Sequence, residues 1–138
     1  MSEIIAYTTG TFDMFHIGHL NLLRGAKALC DKLIVGVSTD ELVIKYKGKK
    51  PLISFKDRIE IVRAIKYVNI AVPQDNLDKT TVLENLKYNI LIVGNDHYGE
   101  ALWNILEDKL AKFEVKVVYL PYTNGISSTQ LRERIMNV

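Results

Sequence analysis

Five short apolar runs, rich in β-branched residues, alternate along this chain with segments of helical periodicity. The runs lie at residues 4–7, 33–37, 67–72, 90–93 and 115–120. Between them, apolar residues recur every three or four positions, as they do in the segment 20–30. Strands this apolar, each followed by a helix, are typical of a parallel sheet covered on both faces, with right-handed crossovers. The pattern therefore predicts an α/β fold, a Rossmann-like three-layer sandwich around a five-stranded parallel sheet.

The size and charge of the chain exclude several classes of protein. Its 138 residues, 48% of them hydrophobic, suffice for one well-filled core, which predicts a single domain over residues 1–138. Its 18 basic and 16 acidic residues give a net charge of +2 and no general positive field for nucleic acid. The single cysteine cannot form an intrachain disulfide, and no run reaches about 18 apolar residues. We therefore expect a cytoplasmic protein that binds neither nucleic acid nor membranes.

The segment 8–19 reads TTGTFDMFHIGH and joins the first predicted strand directly to the first predicted helix. Gly10 permits a backbone turn that a β-carbon would obstruct, and Gly18 lets a ligand approach the start of the helix. Free N–H groups and the helix dipole favour phosphate at that point. His16 and His19 are three residues apart, so in helical geometry their imidazoles project from the same side. One histidine alone would favour a structural role, but the pair beside this turn predicts a phosphate-binding site.

The sequence GTFDMFHIGH at residues 10–19 resembles the signature of the cytidylyltransferases, which contains the HxGH element. Further matches follow in the family's order: STDE at 38–41, a Lys-Gly pair at 47–48, an arginine at 58 and GISST at 125–129. The resemblance spans nearly the whole chain, and its size and motif order are most similar to the bacterial glycerol-3-phosphate cytidylyltransferases. HxGH alone is less specific, because class I aminoacyl-tRNA synthetases and several adenylyltransferases also carry it.

The resemblance implies a role for residues in each of these motifs. His16, His19 and Lys47 would be catalytic, because they would stabilise charge that grows on the α-phosphate and on departing pyrophosphate. The residues that it implies for nucleotide binding are Thr9, Gly10, Thr11, Phe12, Gly18, Lys49, Asn95, Asp96, Tyr122, Thr123, Gly125, Ile126, Ser127, Ser128 and Thr129. Those that it implies for the second substrate are Lys47, Arg58 and Lys79. It implies no metal ligand from the protein, since Mg²⁺ would be held mainly by the triphosphate.

Several of these residues also have a structural interpretation. Asp13, beside the predicted site, either braces its loop or caps the first helix. Lys47 and Lys49 belong to a Lys-rich segment, residues 45–54, which is either a loop that closes over a ligand or a solvated loop. Arg58 begins an amphipathic helix, so it either contacts the substrate or serves the structure of the protein.

The C-terminal half leaves similar alternatives open. Ser127 and Gln130 have capping-box spacing, so the GISST segment either binds phosphate or only caps a final helix. Asn95 and Asp96 follow the fourth predicted strand. They either read the base, as the resemblance implies, or form a turn, because both residue types favour turns.

The chain departs from the relatives at two places near the predicted site. Where the glycerol-3-phosphate enzymes have arginine, threonine and glutamate before GIST, this chain has Tyr122, Thr123 and Asn124. Their arginine-tyrosine-valine-aspartate segment becomes Lys-Tyr-Val-Asn at residues 66–69. Losing the arginine and the aspartate together avoids a buried unpaired charge. We expect Tyr122 and Asn69 to replace them as a neutral hydrogen-bonded pair.

Three functions are compatible with the sequence. The first is transfer of CMP from CTP to glycerol-3-phosphate or a similar small phospho-alcohol, which releases pyrophosphate and gives a CDP-linked precursor. The second is the same chemistry with ATP, as in heptose-phosphate or flavin adenylyltransferases, which share the HxGH loop. The third is a nucleotide-binding module without turnover, which the missing arginine suggests. By analogy with the relatives, we expect a homodimer.

Overall fold

The computed structural model describes residues 3–94 and 99–137, and these contain a five-stranded sheet in which all neighbouring strands are parallel. The strands are β1 (Ile5–Gly10), β2 (Lys32–Ser38), β3 (Ile70–Gln74), β4 (Ile90–Gly94) and β5 (Lys116–Leu120). Their order across the sheet is β3-β2-β1-β4-β5. This arrangement confirms the parallel sheet that the alternating apolar runs predict.

Six helices in the described residues cover the two faces of this sheet. They are α1 (Ile17–Lys27), α2 (Asp40–Lys47), α3 (Phe55–Ala64), α4 (Lys79–Leu86), α5 (Ala101–Ala111) and α6 (Ser128–Met136). Successive residues of β1 face different cores: Ala6 packs with Leu23 of α1 and Val62 of α3, whereas Tyr7 packs with Leu110 of α5. Both faces are therefore covered, which confirms the three-layer sandwich. None of these helices is long and apolar enough to cross a bilayer.

The third strand begins later than the apolar run at 67–72 predicts. Residues 66–67 form a turn instead, in which the Val68 N–H donates to the Ile65 carbonyl at 3.0 Å. Strand pairing starts only at Ile70, which lies opposite Ile34 of β2. The apolar run extends beyond the strand because Ile65 and Val68 pack, from the turn, against the cluster beneath α1 and α3.

The predicted Lys-rich loop is shorter than residues 45–54. Helix α2 continues to Lys47, so Lys45 and Lys47 lie in its last turn rather than in an irregular loop. The helix ends where Gly48 adopts a left-handed conformation with φ of 77° and its N–H donates to the Ile44 carbonyl. This correction gives Lys47 a fixed helical backbone at the edge of the loop.

The strand order places a crevice at the carboxyl end of β1. From β1 the chain adds β2 and β3 on one side of the sheet, and then β4 and β5 on the other. The connections that leave β1 and β4 therefore diverge, and ligands of open parallel sheets bind in the gap between such connections. The segment that carries HxGH leaves β1 at this point, so the topology puts the predicted phosphate site in the crevice.

One buried hydroxyl in the sheet lacks a hydrogen bond. Tyr7 is fully buried and its ring packs against that of Tyr88, with centroids 5.1 Å apart, but its hydroxyl has no hydrogen-bond partner among residues 3–94 and 99–137. Burial, and next the charge of Asp75, raise the pKa of Tyr7 to about 12, so the hydroxyl stays protonated. Gly36 of β2 makes room for it, since a β-carbon there would collide with the hydroxyl oxygen. Residues 7 and 36 thus share one limited volume.

We expect Tyr7→Phe to leave the free energy of unfolding unchanged or to raise it by about 1 kcal/mol, because it removes an unsatisfied buried hydroxyl. Gly36→Ala should lower the free energy of unfolding by about 1–3 kcal/mol through overpacking. The same Gly36→Ala change should cost less in the Tyr7→Phe background, where the oxygen is gone. Urea denaturation of the parent protein and the three variants in this cycle measures the coupling, and an equal cost in both backgrounds would contradict the shared volume.

Candidate active site

Residues 11–16 leave the carboxyl end of β1 in an unusual backbone conformation. We call them the HxGH loop because they end at His16, the first residue of that motif. Phe12 and Met14 adopt the left-handed region, with φ of 56° and 49°, which is unfavourable for residues that carry a β-carbon. The Phe12 ring is buried and approaches Gly10 so closely that a β-carbon at position 10 would lie 2.9 Å from its Cε2 atom. Gly10 is therefore required for this approach of the Phe12 ring, beyond the backbone freedom that the sequence indicated.

A buried carboxylate connects the HxGH loop to two other segments. Asp13 is 4% exposed, and its two oxygens accept the N–H groups of Leu52 and Ile53, each at 2.9 Å. The carboxylate also pairs with Arg132 of α6 at 2.8 Å, and the Asp13 carbonyl accepts the hydroxyl of Ser128. Asp13 thus braces the loop. The alternative that it caps α1 is wrong, because a histidine occupies that position.

The two histidines cap α1 together. The Nδ1 atom of His16 accepts the Gly18 N–H at 3.0 Å, and the Nδ1 atom of His19 accepts the His16 N–H at 3.2 Å. Their rings stack with centroids 3.8 Å apart and planes inclined by 21°, so both imidazoles do project from one side as predicted. Because each Nδ1 atom accepts a hydrogen bond, each neutral ring carries its proton on Nε2. The pair therefore has two Nε2–H donors for a ligand.

Both imidazoles are neutral at pH 7. Burial lowers the pKa of His16 below its usual value. Burial, and next the neighbouring His16 ring, lower the pKa of His19 to about 3, although Asp13 acts in the opposite direction. The histidines consequently act on a phosphate as hydrogen-bond donors, and the positive charge of the site comes from other residues.

Two adjoining cavities surround the histidines and form one cleft. The first, the basic cavity, has a volume of about 200 Å³ and is lined by Thr11, Phe12, Asp13, His19, Val43, Lys47, Lys49, Lys50, Pro51, Ser128, Thr129 and Arg132. The second, the loop cavity, has a volume of about 410 Å³ and is lined by His16, Gly18, His19, Leu22, Gly94, Pro121, Tyr122, Thr123, Asn124, Gly125, Ile126, Ser127, Ser128 and Gln130. His19 and Ser128 line both cavities, so a ligand can extend from the lysines to the segment 121–127.

Most residues predicted for catalysis and nucleotide binding thus lie around this cleft, including both histidines, Lys47 and Lys49. The Ser127 hydroxyl accepts the Gln130 N–H at 3.0 Å, which confirms the predicted cap of α6, and Ser127 also lines the loop cavity. Two predicted residues, Asn95 and Asp96, lie outside the described residues.

Lys79 and Thr9 lie around a third cavity, the inner chamber, with a volume of about 180 Å³. Its lining residues are Thr8, Thr9, Leu22, Lys79, Leu91, Ile92, Val93, Gly94, Trp103 and Tyr122. Leu22, Gly94 and Tyr122 also line the loop cavity, so the chamber adjoins the cleft. Lys79 is 5% exposed. No hydrogen bond or ion pair within the described part of the chain involves its ammonium. Burial lowers the pKa of Lys79 to about 8, although Asp78 opposes the shift.

Arg58 serves the protein structure, so the prediction that it binds substrate is corrected. Its side chain is 1% exposed. Its guanidinium donates to the carbonyls of Ile53, Thr11 and Ser38 at 2.7–2.8 Å and pairs with Asp40 at 2.7 Å. These bonds use four of its five N–H donors. Arg58 therefore holds the HxGH loop against β2 and α2 from inside the protein.

The predicted pair of Tyr122 and Asn69 does not form, because the two residues lie at opposite ends of the sheet. Asn69 precedes β3, where its side-chain oxygen accepts the Leu33 N–H and the Lys27 ammonium, both at 2.8 Å. Tyr122 follows the carboxyl end of β5 and lines the loop cavity and the inner chamber. The two departures from the relatives, at residues 66–69 and 122–124, thus affect two separate places in the fold.

Arg132 is a cleft residue that the sequence analysis missed. It follows Ser128 by four residues on α6, so helical spacing puts the two on one face, and this spacing was the available signal. One end of its guanidinium pairs with Asp13, but its buried Nε–H has no hydrogen-bond partner in the described residues. Arg132 therefore lines the basic cavity and pairs there with the Asp13 carboxylate.

The parallel sheet, the paired Nε2–H donors and the lysine-lined cleft define a nucleotidyltransferase. Residues 7–134 match the family described as Cytidylyltransferase-like, and the chain belongs to this family. A glycerol-3-phosphate cytidylyltransferase of Bacillus subtilis is 37% identical over 98% of both chains. The bifunctional protein HldE of Coxiella burnetii is 32% identical over 98% of this chain and 28% of its own. A lipopolysaccharide core biosynthesis protein of Thermoplasma volcanium has a TM-score of 0.73 and 26% identity, over 88% of this chain and 98% of its own.

We expect the free energy of unfolding to fall as the pH drops below about 6.5, the pKa of histidine in the unfolded chain. Below that pH His19 binds a proton in the unfolded chain but stays neutral in the native state. Above that pH neither state is protonated and the effect vanishes. One histidine changes stability by at most about 1.4 kcal/mol per pH unit, or roughly 2 kcal/mol at pH 5. Urea denaturation between pH 7 and pH 5 should show this loss reduced in His19→Asn. An equal slope in both proteins would contradict the low pKa of His19.

Proposed function

We propose that this chain transfers CMP from CTP to a small phospho-alcohol, with glycerol-3-phosphate as the leading candidate, and releases pyrophosphate and a CDP-linked precursor. The observation that carries the proposal is that His16, His19 and Lys47 border one continuous cleft. The name of the Bacillus subtilis relative, a glycerol-3-phosphate cytidylyltransferase, supports both substrates. By analogy with such relatives, we also propose that the protein works in the cytoplasm as a homodimer.

The chemistry requires no general base from the protein. The attacking group is a phosphate monoester, whose second pKa of about 6 leaves it largely ionised at neutral pH. The protein has to hold two polyanions in line and to stabilise negative charge on the α-phosphate and on departing pyrophosphate. In the proposed complex the Nε2–H groups of His16 and His19 donate to the phosphate chain, and Lys47 and Lys49 neutralise charge in the basic cavity.

The nucleotide would lie across both cavities. The triphosphate would occupy the basic cavity, which Lys47, Lys49 and Arg132 line. The nucleoside would occupy the larger loop cavity, between α1 and the segment 121–127. The first turn of α6 lies where the two cavities meet, and a helix N-terminus favours a phosphate at that place.

The donors present fit an Mg²⁺ ion that arrives with the triphosphate. Asp13 is the one carboxylate among the described residues that line the basic cavity, and its oxygens already bind two N–H groups and Arg132. Across residues 3–94 and 99–137, no cluster of three or more His, Cys, Asp or Glu side chains could hold a metal ion. Substrate phosphates commonly supply most Mg²⁺ ligands that are not water. The ion would neutralise phosphate charge beside the lysines.

The second substrate would present its phosphate to Lys79. Lys79 is only 5% exposed, and no protein anion among the described residues is hydrogen-bonded to its ammonium, which is unfavourable until an anion binds. The inner chamber around Lys79 adjoins the loop cavity through Leu22, Gly94 and Tyr122. An acceptor phosphate between Lys79 and the histidines would therefore lie on the side of the α-phosphate opposite the basic cavity, as in-line displacement requires.

We expect pyrophosphate release with CTP and glycerol-3-phosphate in a matrix of the four nucleoside triphosphates against a panel of phospho-alcohols, with Mg²⁺ present. Turnover with ATP but not with CTP would replace the proposal by an adenylyltransferase. Tight CTP binding with no product from any acceptor would identify a nucleotide-binding module without turnover.

Variants in the same assay separate the roles in the cleft. His16→Asn keeps an acceptor for the cap of α1 but removes the Nε2–H donor, and Lys47→Ala removes one positive charge. Each should lower kcat about a hundredfold, the usual loss for one missing contact to developing charge. Lys56→Ala changes an exposed lysine of α3 and serves as the matched control, which should keep full activity. Full activity of His16→Asn would contradict the assigned role.

We expect the KM for the acceptor to rise above pH 8, because Lys79, with its pKa of about 8, then loses the charge that binds phosphate. The limiting slope is about tenfold per pH unit, while the KM for the nucleotide should change little. The charge of Asp78, the preceding residue, acts on this lysine, and Lys109 lines the same groove. Lys79→Arg should abolish the rise, since arginine keeps its charge. A pH-independent acceptor KM would remove Lys79 from the acceptor site.

A further inference from the structure

An apolar groove that Lys79 and Trp103 help to line opens to solvent. The α4–α5 groove, with a volume of about 340 Å³, lies between α4, α5 and the segment that precedes α4. Leu77, Leu102 and Ile105 line it and are exposed by 56%, 80% and 53%. Large aliphatic side chains so exposed and so close together are unusual on a soluble surface, and they mark a binding surface for something apolar.

The groove and the inner chamber share two walls. Lys79 and Trp103 line both, so the inner chamber and the groove adjoin at these two side chains. A ligand that satisfies both sides has an anionic head at Lys79 and an apolar body along Leu102 and Ile105. Glycerol-3-phosphate alone would leave the groove empty, because its three-carbon body is polar and short.

We propose that the natural acceptor is an amphiphilic phosphate monoester, whose phosphate binds Lys79 in the inner chamber and whose apolar chain lies in the α4–α5 groove. The proposal rests on the nucleotidyltransferase function above and names its acceptor class. It adds no chemical step: the phosphate oxygen still attacks the α-phosphate of the nucleotide, and pyrophosphate still leaves. Glycerol-3-phosphate then reacts as a truncated acceptor that contacts the chamber but not the groove.

Trp103 provides a direct measure of binding, because it is the single tryptophan of the chain and it lines the groove. Titration with methyl, propyl and hexyl phosphate, followed by tryptophan fluorescence, should give a Kd that falls two- to fourfold per added methylene. The upper figure is the fold-change that corresponds to about 0.8 kcal/mol for each buried methylene. Hexanol, which lacks the phosphate, should bind far more weakly than hexyl phosphate. An equal Kd for the three phosphates would overturn the proposal.

Variants of the groove test the same point during turnover. Leu102→Asp should flatten the dependence of kcat/KM on chain length, because it places a charge in the apolar groove. Leu29→Asp, at an exposed leucine in the turn after α1, is the matched control and should keep the full dependence. If the dependence persists in Leu102→Asp, the chain does not lie in this groove.

Two other outcomes lead to different conclusions. If no acceptor yields pyrophosphate while the Kd still falls with chain length, the proposed transferase function fails and the amphiphile site stands. If the Kd is independent of chain length and Leu102→Asp converts a dimer to a monomer in size-exclusion chromatography, the groove is an interface between two copies of this chain and the amphiphile proposal is wrong.

Discussion

The buried carboxylate of Asp13 is the interaction on which the geometry of the cleft depends. It receives two backbone N–H groups from the segment after α2 and a guanidinium from α6. Three segments far apart in the sequence thereby take fixed positions around one charge. Since a buried charge is stable only when it is paired and hydrogen-bonded, these segments cannot separate without a penalty of several kcal/mol. The cleft is therefore assembled around an internal anion before any external anion arrives.

The cleft contains both neutral and charged hydrogen-bond donors, and the two kinds have different roles. The histidines use their Nδ1 atoms to cap α1 and keep their Nε2–H groups for the ligand, and burial keeps the rings uncharged. Lys47 and Lys49 supply positive charge from exposed positions beside the basic cavity. The histidines, whose rings are fixed by their caps, give direction, and the exposed lysines give charge. A triphosphate needs both, because its charge is large and its reacting atom must be positioned in line.

Much of the fold and part of the site could be predicted from the sequence, because they depend on local patterns. Apolar runs of period two and helical spacing predicted the five-stranded sheet, and the HxGH spacing predicted that His16 and His19 act together. Predictions failed where the outcome depends on distant contacts. Arg58 looked available from its helical position, yet carbonyls from three separate segments use its donors. The proposed pairing of Tyr122 with Asn69 failed because sequence similarity to relatives does not show which end of a strand a residue occupies.

Phe12 and Met14 hold left-handed backbone conformations that most residues avoid, at roughly 1–3 kcal/mol each. Glycine would adopt them without strain, but a glycine at position 12 would lose the buried ring that fills the space over Gly10. The packing of the Phe12 ring against Gly10 thus fixes the bend by which the chain leaves the sheet. A larger residue at position 10 would therefore require a smaller one at position 12. An insertion or deletion between them would also shift His16 and His19 relative to the sheet.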